Sequence, residues 1–275
     1  MSKRGARSQG VVSDVDLPGA KPETLPDGRY RSRTKSFVRR GTRMAKSLEN
    51  TWETHSAQYM VDVERAVGHT SVQEGPSLDY TDLFGRTAPV TVEIGCGSGD
   101  QIVAAAARWP ERDFIGLEVW RPGIAKTISK AVEENVTNLR LIEADAVQVF
   151  DYLIGEGSLA EVWTFFPDPW RKSRHHKRRL VQPKFAQTVA SRLVEGGVWR
   201  LATDWDDYAW HMRDVVNSMT LCANPHEGER PDPLDPEGDL GGFAPRFSGR
   251  VMTRFEQRGL DAGRRVRDLT AIRLP

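Results

Sequence analysis

Three acids in the middle of the chain share one kind of position, the end of an apolar run that reads as a buried strand. Glu93 closes Val90-Thr91-Val92-Glu93-Ile94 and leads into Gly95-Cys96-Gly97-Ser98-Gly99-Asp100. Glu118 lies in Gly116-Leu117-Glu118-Val119, and Asp145 in Glu143-Ala144-Asp145-Ala146. Glycines at 95 and 97, with Gly99, let a backbone turn sharply and approach a ligand closely. A dinucleotide fingerprint wants its third glycine at position 100 or 102, and those are Asp100 and Ile102; pyrophosphate docking is therefore disfavoured. The loop suits a ligand without phosphate whose cationic groups meet carboxylates, as the ammonium and sulfonium of S-adenosylmethionine would. An acid placed like Glu118 accepts both hydroxyls of a ribose, and Asp145 is placed to reach the adenine edge. Taken singly, each acid is more often a solvated strand end or a helix cap. Three in succession point to a nucleoside pocket at the carboxyl edge of a sheet.

The most specific string is Phe165-Phe166-Pro167-Asp168-Pro169-Trp170, which runs into Arg171-Lys172-Ser173-Arg174-His175-His176-Lys177-Arg178-Arg179. Two prolines fix the backbone on either side of Asp168. Trp170 offers a flat face for stacking on a base, and the six cations supply phosphate-binding charge. Asp204 repeats the strand-end acid in Ala202-Thr203-Asp204-Trp205. Thr253-Arg254-Phe255-Glu256 follows near the carboxyl terminus, and its spacing alone says little. The histidines show no metal-ligand spacing, and no Ser or Cys sits in a nucleophile's setting. Cys96 reads as a small packing residue.

These groups need a frame, and the pattern around them supplies one. Strands are expected at Pro89–Ile94, Asp113–Val119, Leu139–Glu143, Glu161–Phe166 and Gly197–Ala202. Helices are expected at Gln101–Arg108, Gly123–Asn135, Ala146–Leu153, Pro183–Glu195 and Asp206–Met219, with a further helix within 43–67. Such alternation implies βαβ units and a parallel sheet. Residues 225–242 read as a long surface loop rich in Pro, Gly and Asp, and 247–274 as mixed strand and loop. Residues 1–35 read as a disordered basic arm, and 36–275 as one catalytic domain.

The 275 residues are 39% apolar and 28% charged, with a net charge of +1. That balance hides an asymmetry: residues 1–46 carry net +8 and residues 171–179 carry +6, leaving −13 on the rest. A polyanion would meet local patches rather than a uniformly basic body. The longest apolar run, Ile102 to Ala107, is far short of the ~20 residues that span a bilayer. No apolar segment follows the initial charges, so no secretory signal is expected, and two cysteines are too few for a disulfide framework. The expectation is a cytoplasmic protein without metal or membrane contact, as a monomer or a homodimer.

Together these strings resemble the bacterial tRNA (guanine-N7-)-methyltransferases. The resemblance rests on Val92-Glu93-Ile94-Gly95, Gly116-Leu117-Glu118-Val119 with Pro122-Gly123, and Phe166-Pro167-Asp168-Pro169-Trp170 with Lys172, His175 and Lys177-Arg178-Arg179. It extends through Thr203-Asp204 and Thr253-Arg254-Phe255-Glu256-Gln257-Arg258-Gly259, with Ser36-Phe37-Val38-Arg39-Arg40 as the family's amino-terminal basic segment. It implies a Rossmann-like class I methyltransferase fold, a mostly parallel seven-stranded sheet with helices on both faces. It also implies methyl transfer from S-adenosylmethionine to N7 of a guanine in the variable loop of tRNA. On that resemblance Glu93, Glu118, Asp145 and Asp168 line the cofactor site, and Lys172, Asp204, Thr253, Arg254, Phe255 and Glu256 meet the substrate. Asp168 takes the catalytic role. Competing readings are a methyltransferase acting on an exocyclic base nitrogen of other RNA or DNA, an NAD-dependent oxidoreductase, and an inactive tRNA-binding module. The first expects Asp/Asn-Pro-Pro-aromatic, and here a single proline separates Asp168 from Trp170.

Overall fold

The computed structural model describes residues 43–229 and 241–275. The amino-terminal arm, the 36–40 segment, the boundary between arm and domain, and most of the 225–242 loop lie outside the described residues. The strands are β1 (Val90–Ile94), β2 (Asp113–Glu118), β3 (Leu139–Glu143), β4 (Leu159–Phe165), β5 (Leu193–Thr203), β6 (Cys222–Ala223) and β7 (Arg267–Arg273). Between them run α1 (Lys46–Tyr59), α2 (Tyr80–Phe84), α3 (Asp100–Arg108), α4 (Arg121–Glu133), α5 (Ala146–Tyr152), α6 (Pro183–Arg192), α7 (Asp206–Asn217) and α8 (Arg254–Asp261).

All seven strands join one sheet in the order β3-β2-β1-β4-β5-β7-β6. The β1 to β5 pairs are parallel, and β7 runs antiparallel to β5 and β6. Chain order reverses direction across the sheet between β1 and β4, the kind of switch point where open α/β sheets bind ligands. Burial on both faces explains why β1, Val-Thr-Val-Glu-Ile, is buried throughout. Parallel register places Glu93 opposite Gly116 and Trp163, Glu118 opposite Glu143, and Phe165 opposite Ala202. The strand ends therefore line up along one edge.

Apolar side chains fill both faces. On one, Trp163 is fully buried among Trp109, Phe114, Phe165 and Phe247, and its indole N–H donates to Glu161 Oε2 at 2.8 Å. On the other, Trp199 and Tyr208 are fully buried. Burying one large apolar side chain contributes about 1.5–3 kcal/mol, so these rings fix the spacing between helix and sheet layers. Gly123, in the first turn of α4, is required by closeness. A Cβ there would lie 2.4 Å from the Gly97 carbonyl oxygen, so α4 leans directly on the glycine loop.

Most expected elements form within a few residues of their expected ends. Two differ from the pattern: β5 begins at Leu193, inside the expected helix, and 254–261 forms a helix where strand and loop are expected; α2, β6 and the 3₁₀ turn that the basic run forms at Ser173–Arg178 lie in stretches to which the pattern assigns no element. No helix among the described residues is long and apolar enough to cross a membrane.

Candidate active site

The glycine loop is built by positive backbone angles and held by cross-links. Gly95, Gly97 and Gly99 have φ of 75°, 59° and 77°, a region that side-chain-bearing residues avoid. The Lys130 ammonium donates to the Ser98 carbonyl at 2.8 Å and to Asp100 Oδ1 at 2.7 Å. Burial raises the Asp100 carboxyl, and the bonds from Lys130 and Ser98 outweigh it, leaving the group below its ordinary value.

Two carboxylates face this loop in different states. Glu118 accepts three backbone N–H bonds, from Gly97 at 2.8 Å on Oε2 and from Val119 and Trp120 at 2.7 and 2.9 Å on Oε1. A carboxylate has about four acceptor sites, so Glu118 keeps capacity for a hydroxyl while its orientation is fixed. Glu93 is 5% exposed, and its Oε2 has no hydrogen-bond partner among the described residues. Burial, then the charges of Glu118 and Asp100, push its carboxyl up to about 8. An orphaned buried oxygen beside a ligand loop calls for a donor or cation from the ligand.

Asp145 caps α5, its Oδ1 accepting from the Val147 and Gln148 amides at 3.0 and 3.3 Å. It stands at the end of β3, beside the Arg121–Glu143 pair (2.7 Å) that joins α4 to the same strand. The cap is the local reason for an acid at this position.

Beyond β4 the chain bends through two uncommon conformations. Phe166 and Trp170 have φ of 53° and 48°, strain of order 1–3 kcal/mol each for bulky residues. Asp168 lies between them and is exposed. The Phe166 amide donates to the Ala202 carbonyl at 2.8 Å, carrying the sheet ladder one residue further. The six cations that follow are not equivalent. Arg171, Lys172, Arg174 and Lys177 are exposed, whereas Arg178 lies over the Trp170 ring at 5.1 Å. Arg179 is buried and donates to the Pro169 carbonyl at 2.9 Å. Its bond to Asp207 holds that carboxyl below the ordinary value. Of the six cations expected to supply phosphate-binding charge, Arg179 is the one whose side chain is buried, while Arg171 also lies over a ring, that of Trp205, at 4.8 Å. His175 packs edge-on to Trp170, with centroids 5.9 Å apart, so Arg178 covers one face of the ring read as a stacking platform.

Helix α8, where strand and loop are expected, packs beside the Asp168 loop. Thr253 caps it, its hydroxyl accepting from the Glu256 amide at 3.1 Å. Phe255 is 48% exposed and meets Phe166 with ring centroids 5.3 Å apart. Arg254 is exposed on the same helix. Glu256 points the other way. It is 1% exposed and takes Arg246 at 3.1 Å and Arg250 at 3.0 Å; Arg250 in turn grips Asp268 of β7 through two bonds of 2.6 and 3.0 Å. Asp204, at the end of β5, is bonded by Arg264 at 2.7 Å. Gln101 of α3 holds the segment before α8, donating to the Gly249 carbonyl at 3.1 Å and accepting from the Val251 amide at 2.8 Å.

Sequence reasoning did not single out Arg250, Arg264 or Gln101, whose partners lie 6 to 150 positions away. The one local signal it passed over is Thr253 followed three residues later by Glu256, a helix-start signature. Among the described residues, no group of three or more His, Cys, Asp or Glu could hold a metal ion.

Sheet order, glycine loop and strand-end acids define a Rossmann-like methyltransferase of class I. A family model described as "Putative methyltransferase" matches residues 87–269. Similar proteins include the tRNA (guanine-N(7)-)-methyltransferase of Cutibacterium acnes, 50% identical over 88% of this chain and 84% of its own length. Those of Paenarthrobacter aurescens and Escherichia coli are 43% and 42% identical, over 88% and 90% of this chain and 92% and 95% of theirs. The chain belongs to the tRNA (guanine-N(7)-)-methyltransferase family.

Proposed function

We propose that this chain transfers a methyl group from S-adenosylmethionine to N7 of a guanine in the variable loop of tRNA, forming 7-methylguanosine. The observation that carries the reading is the pair of acidic side chains at the glycine loop. Glu93 offers a buried, unpartnered oxygen, and Glu118 is oriented by three amides with acceptor capacity to spare. That pair suits a ligand with an ammonium at one end and a ribose at the other. Gly95 and Gly97 admit the ligand's backbone-side atoms, and Asp145 closes the adenine side. When bound, S-adenosylmethionine supplies an electrophilic methyl on a sulfonium centre.

The protein's own groups have a limited task. Guanine N7 carries a free lone pair, so no residue has to remove a proton before attack. What remains is alignment and stabilisation of the charge that develops on the purine. Asp168, on its strained loop, supplies a fixed negative charge there and is the catalytic residue. Asp204, oriented by Arg264, accepts from the N1/N2 donor edge of guanine. Thr253, Arg254 and Phe255 line the acceptor side, and Glu256 holds them through Arg246 and Arg250. Lys172 and the exposed cations around it meet phosphates, a contact that positions rather than specifies.

The test is transfer of labelled methyl from S-adenosylmethionine to unmodified tRNA, followed by nucleoside analysis. A 7-methylguanosine peak is expected. Label on another nucleoside would overturn the acceptor and leave the cofactor. Asp168→Ala should abolish turnover with the fold intact, and wild-type turnover in that variant would remove its catalytic assignment.

A further inference from the structure

The loop that carries Asp168 is held from beneath by a guanidinium. Phe166 and Trp170 both adopt positive φ, a conformation that bulky residues leave unless their surroundings over-determine it. At the Phe166 end the holding contacts are the bond to Ala202 and the Phe255 ring. At the Trp170 end, besides Arg178 and His175 on the ring, Arg179 ties the backbone, and its side chain is 2% exposed. Its Nε donates to the Pro169 carbonyl at 2.9 Å, the peptide that joins Asp168's neighbour to Trp170. The other end of the guanidinium pairs with Asp207 in the first turn of α7. The flat group lies over the Tyr208 ring at 4.7 Å, and the Tyr208 hydroxyl accepts from the Val181 amide at 3.1 Å. The carbonyl after Asp168 is thereby tied to α7 and to the chain beyond the basic run.

We propose that Arg179 is a positioning residue for Asp168, acting through the Pro169 carbonyl, and not one of the cations that meet tRNA phosphate. The inference rests on the reading of Asp168 as the charge facing the reacting base. It needs an arginine. A planar fork serves the carbonyl, the carboxylate and the ring face together, whereas a lysine offers one compact ammonium.

Arg179→Lys keeps the charge and removes the fork. In that variant kcat is expected to fall about a hundredfold, the scale of a 1 Å misplacement. The KM for tRNA and the salt dependence of tRNA binding should stay at wild-type values. Amide exchange across 166–172 should rise, while exchange across the glycine loop is unchanged. A phosphate contact would show the opposite pattern: a raised KM for tRNA with kcat held, and a loop protected as in the wild type. Either that pattern or wild-type kcat overturns the proposal. Should Arg179→Lys not fold, Asp207→Asn leaves Arg179 in place and alters only its 61%-exposed partner. It should raise exchange over 166–172 in the same way, and unchanged exchange there is equally decisive against the clamp. Exchange needs no substrate, so its result stands apart from the reading of Asp168, which falls instead if Asp168→Ala retains turnover.

Discussion

Gly259 of α8 packs closely on Asp204, the residue after β5: a Cβ on the glycine would lie 2.8 Å from the carboxylate Oδ2. Only a residue without a side chain lets the helix sit on that acid, and Arg264 closes on the same oxygen at 2.7 Å. The carboxylate is thus oriented by the helix that also presents Thr253, Arg254 and Phe255. Gly259→Ala should push α8 off the strand end, with an overpacking cost of about 1–3 kcal/mol. Expected are a raised KM for tRNA and unchanged S-adenosylmethionine affinity. Steady-state kinetics beside cofactor titration checks this, and equal loss in both would deny α8 its separate place on the acceptor side.

Glu256 predicts a stability effect instead. Its carboxylate and the Arg250 guanidinium are each 1% exposed in their side chains, and removing one partner of a buried pair costs about 3–5 kcal/mol. Glu256→Ala leaves Arg246 and Arg250 without their shared acceptor. Its denaturant midpoint should drop by that equivalent, and a midpoint near wild type would show that water or Asp268 compensates.

The difference between these two residues bears on what the chain's pattern can disclose. Glu93, Glu118, Asp145, Asp168 and Asp204 are legible because each closes an apolar run, and a parallel sheet carries all strand ends to one edge. The frame was legible for the same reason. Glu256 stands among the substrate contacts on the resemblance alone, and neither the resemblance nor sequence spacing says that its side chain lies on the buried face of α8, against Arg250. Arg179 was grouped with its exposed neighbours because charge density is local, whereas burial follows from Asp207 and Tyr208, about 28 residues on. Helix α8 has little helical signal of its own, because its first turn is highly charged and Gly259 interrupts it. Its packing against Asp204 supplies what propensity lacks.

Glu93 makes stability depend on pH in a stated direction. Its carboxyl is pushed up to about 8 in the folded chain, against roughly 4.3 unfolded. Between those values the folded state binds more protons than the unfolded one, so stability from this group is present below the lower value and lost as pH rises through the upper. Glu93→Gln removes the titration. The melting temperature of the variant relative to wild type should therefore climb from pH 5 to pH 8.5 in the absence of ligand. A pH-independent difference would mean that Glu93 is already ionised at neutral pH.

Lys172 opens the basic turn and is exposed, in contrast to Arg179. Lys172→Ala should weaken tRNA binding uniformly across tRNA sequences and lower the salt slope by about one. Binding measured from low to moderate salt checks both, and an unchanged slope would remove Lys172 from the phosphate contacts.

Gln101 joins the two halves of the site. It sits in the first turn of α3, directly after the glycine loop, and its buried amide satisfies one carbonyl and one N–H of the segment before α8. The bonds span 148 and 150 positions, so a single side chain couples the cofactor loop to the acceptor helix. Gln101→Leu fills similar volume but leaves the Gly249 carbonyl and Val251 amide without partners, at about 1–3 kcal/mol each. The segment should then move or admit water. If the amide is the coupling, prior S-adenosylmethionine binding will tighten tRNA binding in the wild type and do so less in the variant. Titrating tRNA with and without S-adenosylhomocysteine as an unreactive occupant measures that difference. Equal cooperativity in the two proteins, with only stability reduced, would confine Gln101 to packing.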